Sequence, residues 1–176
     1  RNKKYIEWIV AGVGTLILFF FFSQLLPYHL FHREQTQLFL YSFEAFADYF
    51  ARPAALACLL GDFFTQFFYY IGGGPAIVAL TLLLWGVVVY RLFARHIGRW
   101  AWMPTLLAVA WEAGRQCGML YPLSATFALI GGGALALLCR RWMSSSWKAA
   151  LPIGLIAVAT SYYLFGCGMW LTALFL

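Results

Sequence analysis

From Ile9 to Leu26 the chain runs IVAGVGTLILFFFFSQLL without one charged side chain. About 20 such residues in a helix cross a hydrocarbon core about 30 Å thick. Lipid offers no partner for a bare peptide group, so helices and closed barrels are the only structures that span it. The same pattern recurs, giving clear apolar segments at Tyr5–Leu26, Pro75–Phe93, Ala101–Leu120, Pro122–Cys139 and Ala150–Leu171. Only 10% of the residues are charged and the mean hydropathy is +0.79, whereas soluble domains carry roughly 25% charged residues. So few charges cannot cover a surface in water. The expected fold class is all-α, a polytopic transmembrane helical bundle of about five clear spans. Between the first and second spans we expect a short helical hairpin or a re-entrant pair.

The basic opening RNKK and the apolar run behind it resemble a signal sequence only superficially. A cleaved signal has an apolar region of about 7–15 residues followed by small residues at the cut. This run is longer and continues into Ser23-Gln24-Leu25-Leu26-Pro27, so it reads as a retained helix. Residues 1–176 are expected to form a single membrane domain. The start at Arg1 and the stop at Leu176 within an apolar run suggest the N-terminal part of a longer protein.

The 12 basic residues constrain the topology. Short loops rich in Lys and Arg stay on the cytoplasmic side. Arg1, Lys3 and Lys4, then Arg91, Arg95 and Arg99, then Arg140, Arg141 and Lys148 share one face only if Pro27–Gly74 crosses an even number of times. Gln35–Arg52 and Ala54–Ile71 would supply the two short legs, broken at Arg52-Pro53, where proline disfavours helix at the residue before it. The two-span version adds Arg52 to the basic face. The expected location is the bacterial inner membrane, multi-pass, with the N-terminus cytoplasmic. The lipid bilayer and other membrane subunits are the expected partners, and nucleic acid is not, because the positive charge is dispersed among apolar runs rather than gathered in one patch.

Several ionisable residues fall inside these runs, where each needs a partner or a cavity. On Gln35–Arg52, the residues Gln37, Tyr41, Glu44, Asp48 and Arg52 recur at helical spacing. Cys58, Asp62, Gln66 and Tyr69 do so on the next run, and Glu112 and Arg115 sit one turn apart with Gln116 beside them. These residues read either as a helix-contact seam or as a polar pocket open to the outer face, lined by Asp62, Gln66, Glu112 and Arg115. His29, His32 and Glu34 fall in an outer-face loop, where interfacial placement is the first reading. Metal ligation and acid–base work on a lipid headgroup are the alternatives. Four scattered cysteines without CxxC spacing give no zinc site or disulfide framework. No catalytic motif emerges, and no cofactor or metal is expected.

The stretch HREQTQLFLYSFEAFADYFARPAALACLLGDFFTQFFYY, with Gly61-Asp62-Phe63-Phe64-Thr65-Gln66-Phe67 and the corner Tyr121-Pro122-Leu123-Ser124, resembles an uncharacterised bacterial family of multi-pass inner-membrane proteins. The resemblance implies membrane topology and a membrane part usually longer than this chain. It implies no reaction. Three functions follow from the residues, in order: a non-enzymatic membrane subunit or anchoring module of a larger assembly, a transporter or channel with a polar pocket, and an enzyme acting on a lipid-linked substrate through His29, His32 and Glu34.

Overall fold

The computed structural model describes residues 2–36, 39–142 and 147–176, and these form helices and turns with no strand among them. The long helix α1 (Asn2–Leu25) turns by 79° into α2 (Pro27–Thr36). Pro27 causes the turn: it has no N–H to donate and disfavours helical geometry at Leu26. Two short helices follow, α3 (Phe43–Phe50) and α4 (Ala55–Thr65), then α5 (Gly73–Ile97), α6 (Trp102–Gln116), α7 (Leu123–Trp142), α8 (Trp147–Phe165) and α9 (Met169–Phe175).

By length and apolarity three stretches are candidate membrane spans, Gly73–Gln116, Leu123–Arg141 and Ala150–Phe175. The bent pair Ile9–Leu25 and Pro27–Gln35 makes a fourth if it is counted as one. This corrects the expected five. One reason is that α6 has only 15 residues, about 22 Å, and runs on from α5. The 44 residues of the first stretch would reach about 66 Å as one rod, yet they fold back at Gly98, where φ is +55. Trp85 Nε1 donates to the Ala108 carbonyl at 3.2 Å, and a Cβ at Gly86 would touch Val109. So α5 and α6 form an antiparallel hairpin.

Helix α1 packs on α5, with Phe19 beside Gly72 and Phe22 in the core with Val78 and Leu82. Helix α7 runs parallel to α5, with Gly133 against Val88 and Leu92, and Arg140 and Arg141 near Arg91 and Arg95. The ends of α5 and α7 therefore share one end of the bundle, called here the basic end.

The expected helix Gln35–Arg52 is interrupted. Ser42 caps a new helix by accepting from the Ala45 N–H at 3.1 Å. The segment before it lets Phe39 turn inward among Tyr49, Phe46 and Phe63. At 8 and 11 residues, α3 and α4 reach only about 12 and 16 Å, so they do not form two full spans. They form a short helical hairpin. Gly61 lies on the Ser124 backbone at the start of α7, whereas Ala54 at the tip abuts Gly166.

A second reversal enters from the basic end. The expected unbroken span Ala150–Leu171 turns at Gly166-Cys167-Gly168, which brings Thr172 Oγ1 on α9 within 2.7 Å of Ser161 Oγ on α8, a hydrogen bond between the two hydroxyls. Phe175 returns to Phe93 and His96. Gly168 sits against Ala128 and Gly132, near the middle of α7. The tips of the two hairpins thus meet, and beside them Tyr163 donates to the Phe50 carbonyl at 2.7 Å.

This packing admits little extra volume. A Cβ at Gly61 would lie 2.5 Å from the Ser124 nitrogen; at Gly166, where φ is +54, it would lie 2.8 Å from Ala54 Cβ. Gly61→Ala and Gly166→Ala are each expected to cost about 1–3 kcal/mol, read as a lower Tm in detergent. Gly12→Ala, with nothing within 4 Å, should leave Tm unchanged. In intact vesicles, Ile71→Cys and Arg99→Cys should label from opposite faces with an impermeant maleimide.

Candidate functional site, a buried polar relay beside a half-open cavity

Four polar side chains meet where α2 lies over the corner between α6 and α7. Arg33 is 3% exposed, Gln116 and Glu112 1%, and Thr126 0%. Arg33 Nη1 donates to Gln116 Oε1 and Nη2 to the Gln116 carbonyl, both at 2.7 Å, and Nη2 also reaches the Gly118 carbonyl. Gln116 Nε2 donates to Thr126 Oγ1 at 2.6 Å, and Thr126 Oγ1 donates to Glu112 Oε1 at 2.6 Å. Tyr121 O–H donates to the same carboxylate oxygen at 2.9 Å. Every donor in the chain points away from the guanidinium and toward the carboxylate. A cation and an anion are thereby joined through two neutral groups, each hydrogen bond polarising the next.

Local sequence explains the positions. His29 and Arg33 are one turn apart on α2, so both face the corner, and His29 Nδ1 lies 3.3 Å from the Cys117 carbonyl. That ring nitrogen is the donor, since a carbonyl only accepts. Helix α6 ends at Gln116, leaving late carbonyls without helical partners, and Arg33 satisfies two of the carbonyls at this corner. Burial, then the charge and hydrogen bond of Glu112, push the Tyr121 phenol well above its ordinary pKa. It therefore stays a donor.

Glu112 also borders a cavity of about 390 Å³ with Trp85, Arg115, Tyr121, Cys167 and Leu171 among its walls. The Arg115 guanidinium stacks over the Tyr121 ring at 4.6 Å. Tyr121 thus stands between Glu112 and Arg115, hydrogen-bonded to one and stacked on the other.

The other residues singled out in the sequence divide into separate groups. Asp62 accepts from Tyr49 O–H at 2.7 Å and Gln66 Oε1 from Tyr41 O–H at 3.0 Å, so both tie α4 to the segment around α3 rather than line the cavity. Arg52 lies over the Tyr49 ring at 5.1 Å. Glu44 and Asp48 are exposed, and Tyr49 occupies the buried face of α3. His32 is exposed and Glu34 half-buried on α2. Among the described residues, no three His, Cys, Asp or Glu side chains converge as metal ligands do. Gln37 lies outside the described residues.

Sequence reasoning missed Arg33, Thr126 and Tyr121 as a unit. The only local signal for Arg33 was its one-turn spacing from His29. Thr126 gave none, because a lone Thr in an apolar helix ordinarily bonds its own backbone.

Architecture and site together define a class: an α-helical bundle with helices long and apolar enough to cross a membrane, built around a buried ionic relay. The chain belongs to the family of unknown function DUF6057, whose model matches residues 2–176. No curated protein and no solved structure matches it.

Removing the middle of the relay should be costly. Thr126→Val keeps the shape but deprives Glu112 of a donor and Gln116 of an acceptor, and is expected to cost about 1–3 kcal/mol by thermal unfolding in detergent. Thr15→Val, whose hydroxyl bonds only Ala11 on its own helix, should shift Tm far less.

Proposed function

We propose that this protein is a transporter or channel domain that admits a small polar solute to the cavity beside Glu112, Arg115 and Tyr121. The observation that carries this reading is Glu112 itself, 1% exposed in the protein and bordering the cavity. Charged groups at membrane depth are expensive and mark solute or ion paths. An apolar side chain would hold α6 to α7 at lower cost, so a retained carboxylate beside Arg115 points to a polar occupant. The turn at Gly166–Gly168 adds support. Non-helical backbone at membrane depth is tolerated where it is buried in protein or lines a water-filled space, and Cys167 places part of this turn on the cavity wall.

The proposed location is the bacterial inner membrane with the basic end cytoplasmic, following the positive-inside rule. The bilayer and further membrane subunits are the proposed partners.

Cys167 is the natural reporter. With Cys58, Cys117 and Cys139 replaced by Ser, Cys167 in vesicles should react with a charged methanethiosulfonate at least tenfold faster than Leu155→Cys, a control on the exposed face of α8. Vesicle swelling in isosmotic glycine or glycerol should then fall once Cys167 is modified. Equal reactivity of the two cysteines, or swelling indifferent to the modification, would remove the cavity from any solute path.

A further inference from the structure

At the basic end, α5 and α7 run side by side and deliver four guanidinium groups to one niche. Arg91 and Arg95 are one turn apart on α5 and thus share a face; Arg140 and Arg141 end α7 opposite them, and Leu137 forms an apolar wall. The space between them is about 280 Å³. Arg140 is half-buried, and its Nη2 lies 3.2 Å from His96 Nε2. A guanidinium has only donors, so that imidazole nitrogen is the acceptor of this contact. Phe175 packs at 6.4 Å from the His96 ring, centre to centre, and at 5.2 Å from Phe93. The histidine that positions Arg140 is therefore itself held by the returning α9.

The helix C-termini offset part of this positive charge, but not four guanidiniums. Five of the six carboxylates lie elsewhere: Glu34, Glu44, Asp48, Asp62 and Glu112 belong to α2, the α3–α4 hairpin or the far end of α6, and the sixth, Glu7, is on α1. Orientation in the membrane requires basic residues in loops, yet it does not require them to converge from two parallel helices around one space. Arginine pairs bind phosphate bidentately, with a geometry a lysine cannot reproduce. Basic pockets between spanning helices at the level of the headgroups suit phospholipid phosphates. Leu137 sets an apolar surface where the acyl chains of such a lipid would begin.

We infer that Arg91, Arg95, Arg140 and Arg141 form a binding site for the phosphate headgroup of an anionic phospholipid, with His96 positioning Arg140. The site is remote from the Glu112 cavity and independent of what that cavity does.

The test uses the full chain in detergent, titrated with phosphatidylglycerol, phosphatidylcholine or inorganic phosphate, with bound lipid read by native mass spectrometry and stability by Tm. Phosphatidylglycerol should be retained at least tenfold more than phosphatidylcholine and should raise Tm. Inorganic phosphate at the same concentration should not displace it. Arg95→Gln with Arg140→Gln should abolish both effects. If that pair fails to fold, Arg91→Lys with Arg141→Lys, which keeps the charge but removes the fork, should reduce retention severalfold. Equal retention of the two lipids, displacement by inorganic phosphate, or unchanged retention in the folded variants would each overturn the assignment.

Discussion

Arg33 carries a permanent positive charge into a place where 3% of its surface is exposed, and that end of the bundle is organised around its donors. An isolated charge in such surroundings would cost several kcal/mol. Here it is spread over two backbone carbonyls and, through Gln116 and Thr126, reaches the carboxylate of Glu112. One group therefore fixes the tilt of α2, the end of α6 and the start of α7. The side of Glu112 that meets Tyr121 faces the cavity, so the requirement that stabilises the corner also shapes the space beside it.

Small residues govern the interior below that corner. In lipid there is little hydrophobic drive between helices, so association rests on close packing and on hydrogen bonds. Gly132 and Gly168 bring two backbones into direct approach, and Gly61 does the same for α4 on α7. Thr172 and Ser161 then satisfy polar groups that the approach exposes, Thr172 donating to the Gly132 carbonyl at 3.0 Å and accepting from Ser161. The two reversing hairpins meet at Ala54, which sits in left-handed geometry at φ 65. That conformation costs a non-glycine residue about 1–2 kcal/mol, and the packing at Gly166 holds it in place.

Charge is distributed unequally along the bundle. Arginines gather at the ends of α5 and α7, while the carboxylates of α2 through α6 lie toward the opposite half. The same asymmetry separates two sites of different chemistry. One is a relay that joins a buried cation to a buried carboxylate; the other is a niche lined by four arginines.

Much of the helical layout is legible in the residues because hydropathy is additive along a chain: an apolar run long enough to span reads as such whatever surrounds it. Pro27, the Arg52-Pro53 break and the one-turn spacing of Glu112 and Arg115 are local features of the same kind. The turn at Gly166–Gly168 escaped notice because two glycines and a cysteine barely alter the hydropathy of the run they interrupt. For the same reason Ala150–Phe175 qualifies as one span although its ends fold together. Asp62 and Gln66 looked equivalent to Glu112 in the sequence, and only the placement of Tyr49 and Tyr41 assigned them to a different contact. The sequence by itself determined the all-helical, lipid-compatible character of the chain and the position of its basic clusters, since these follow from composition and short-range spacing. Which buried charge found which partner was decided by tertiary structure alone, because Arg33, Gln116, Thr126 and Glu112 become neighbours only after α2 folds over the corner of α6 and α7.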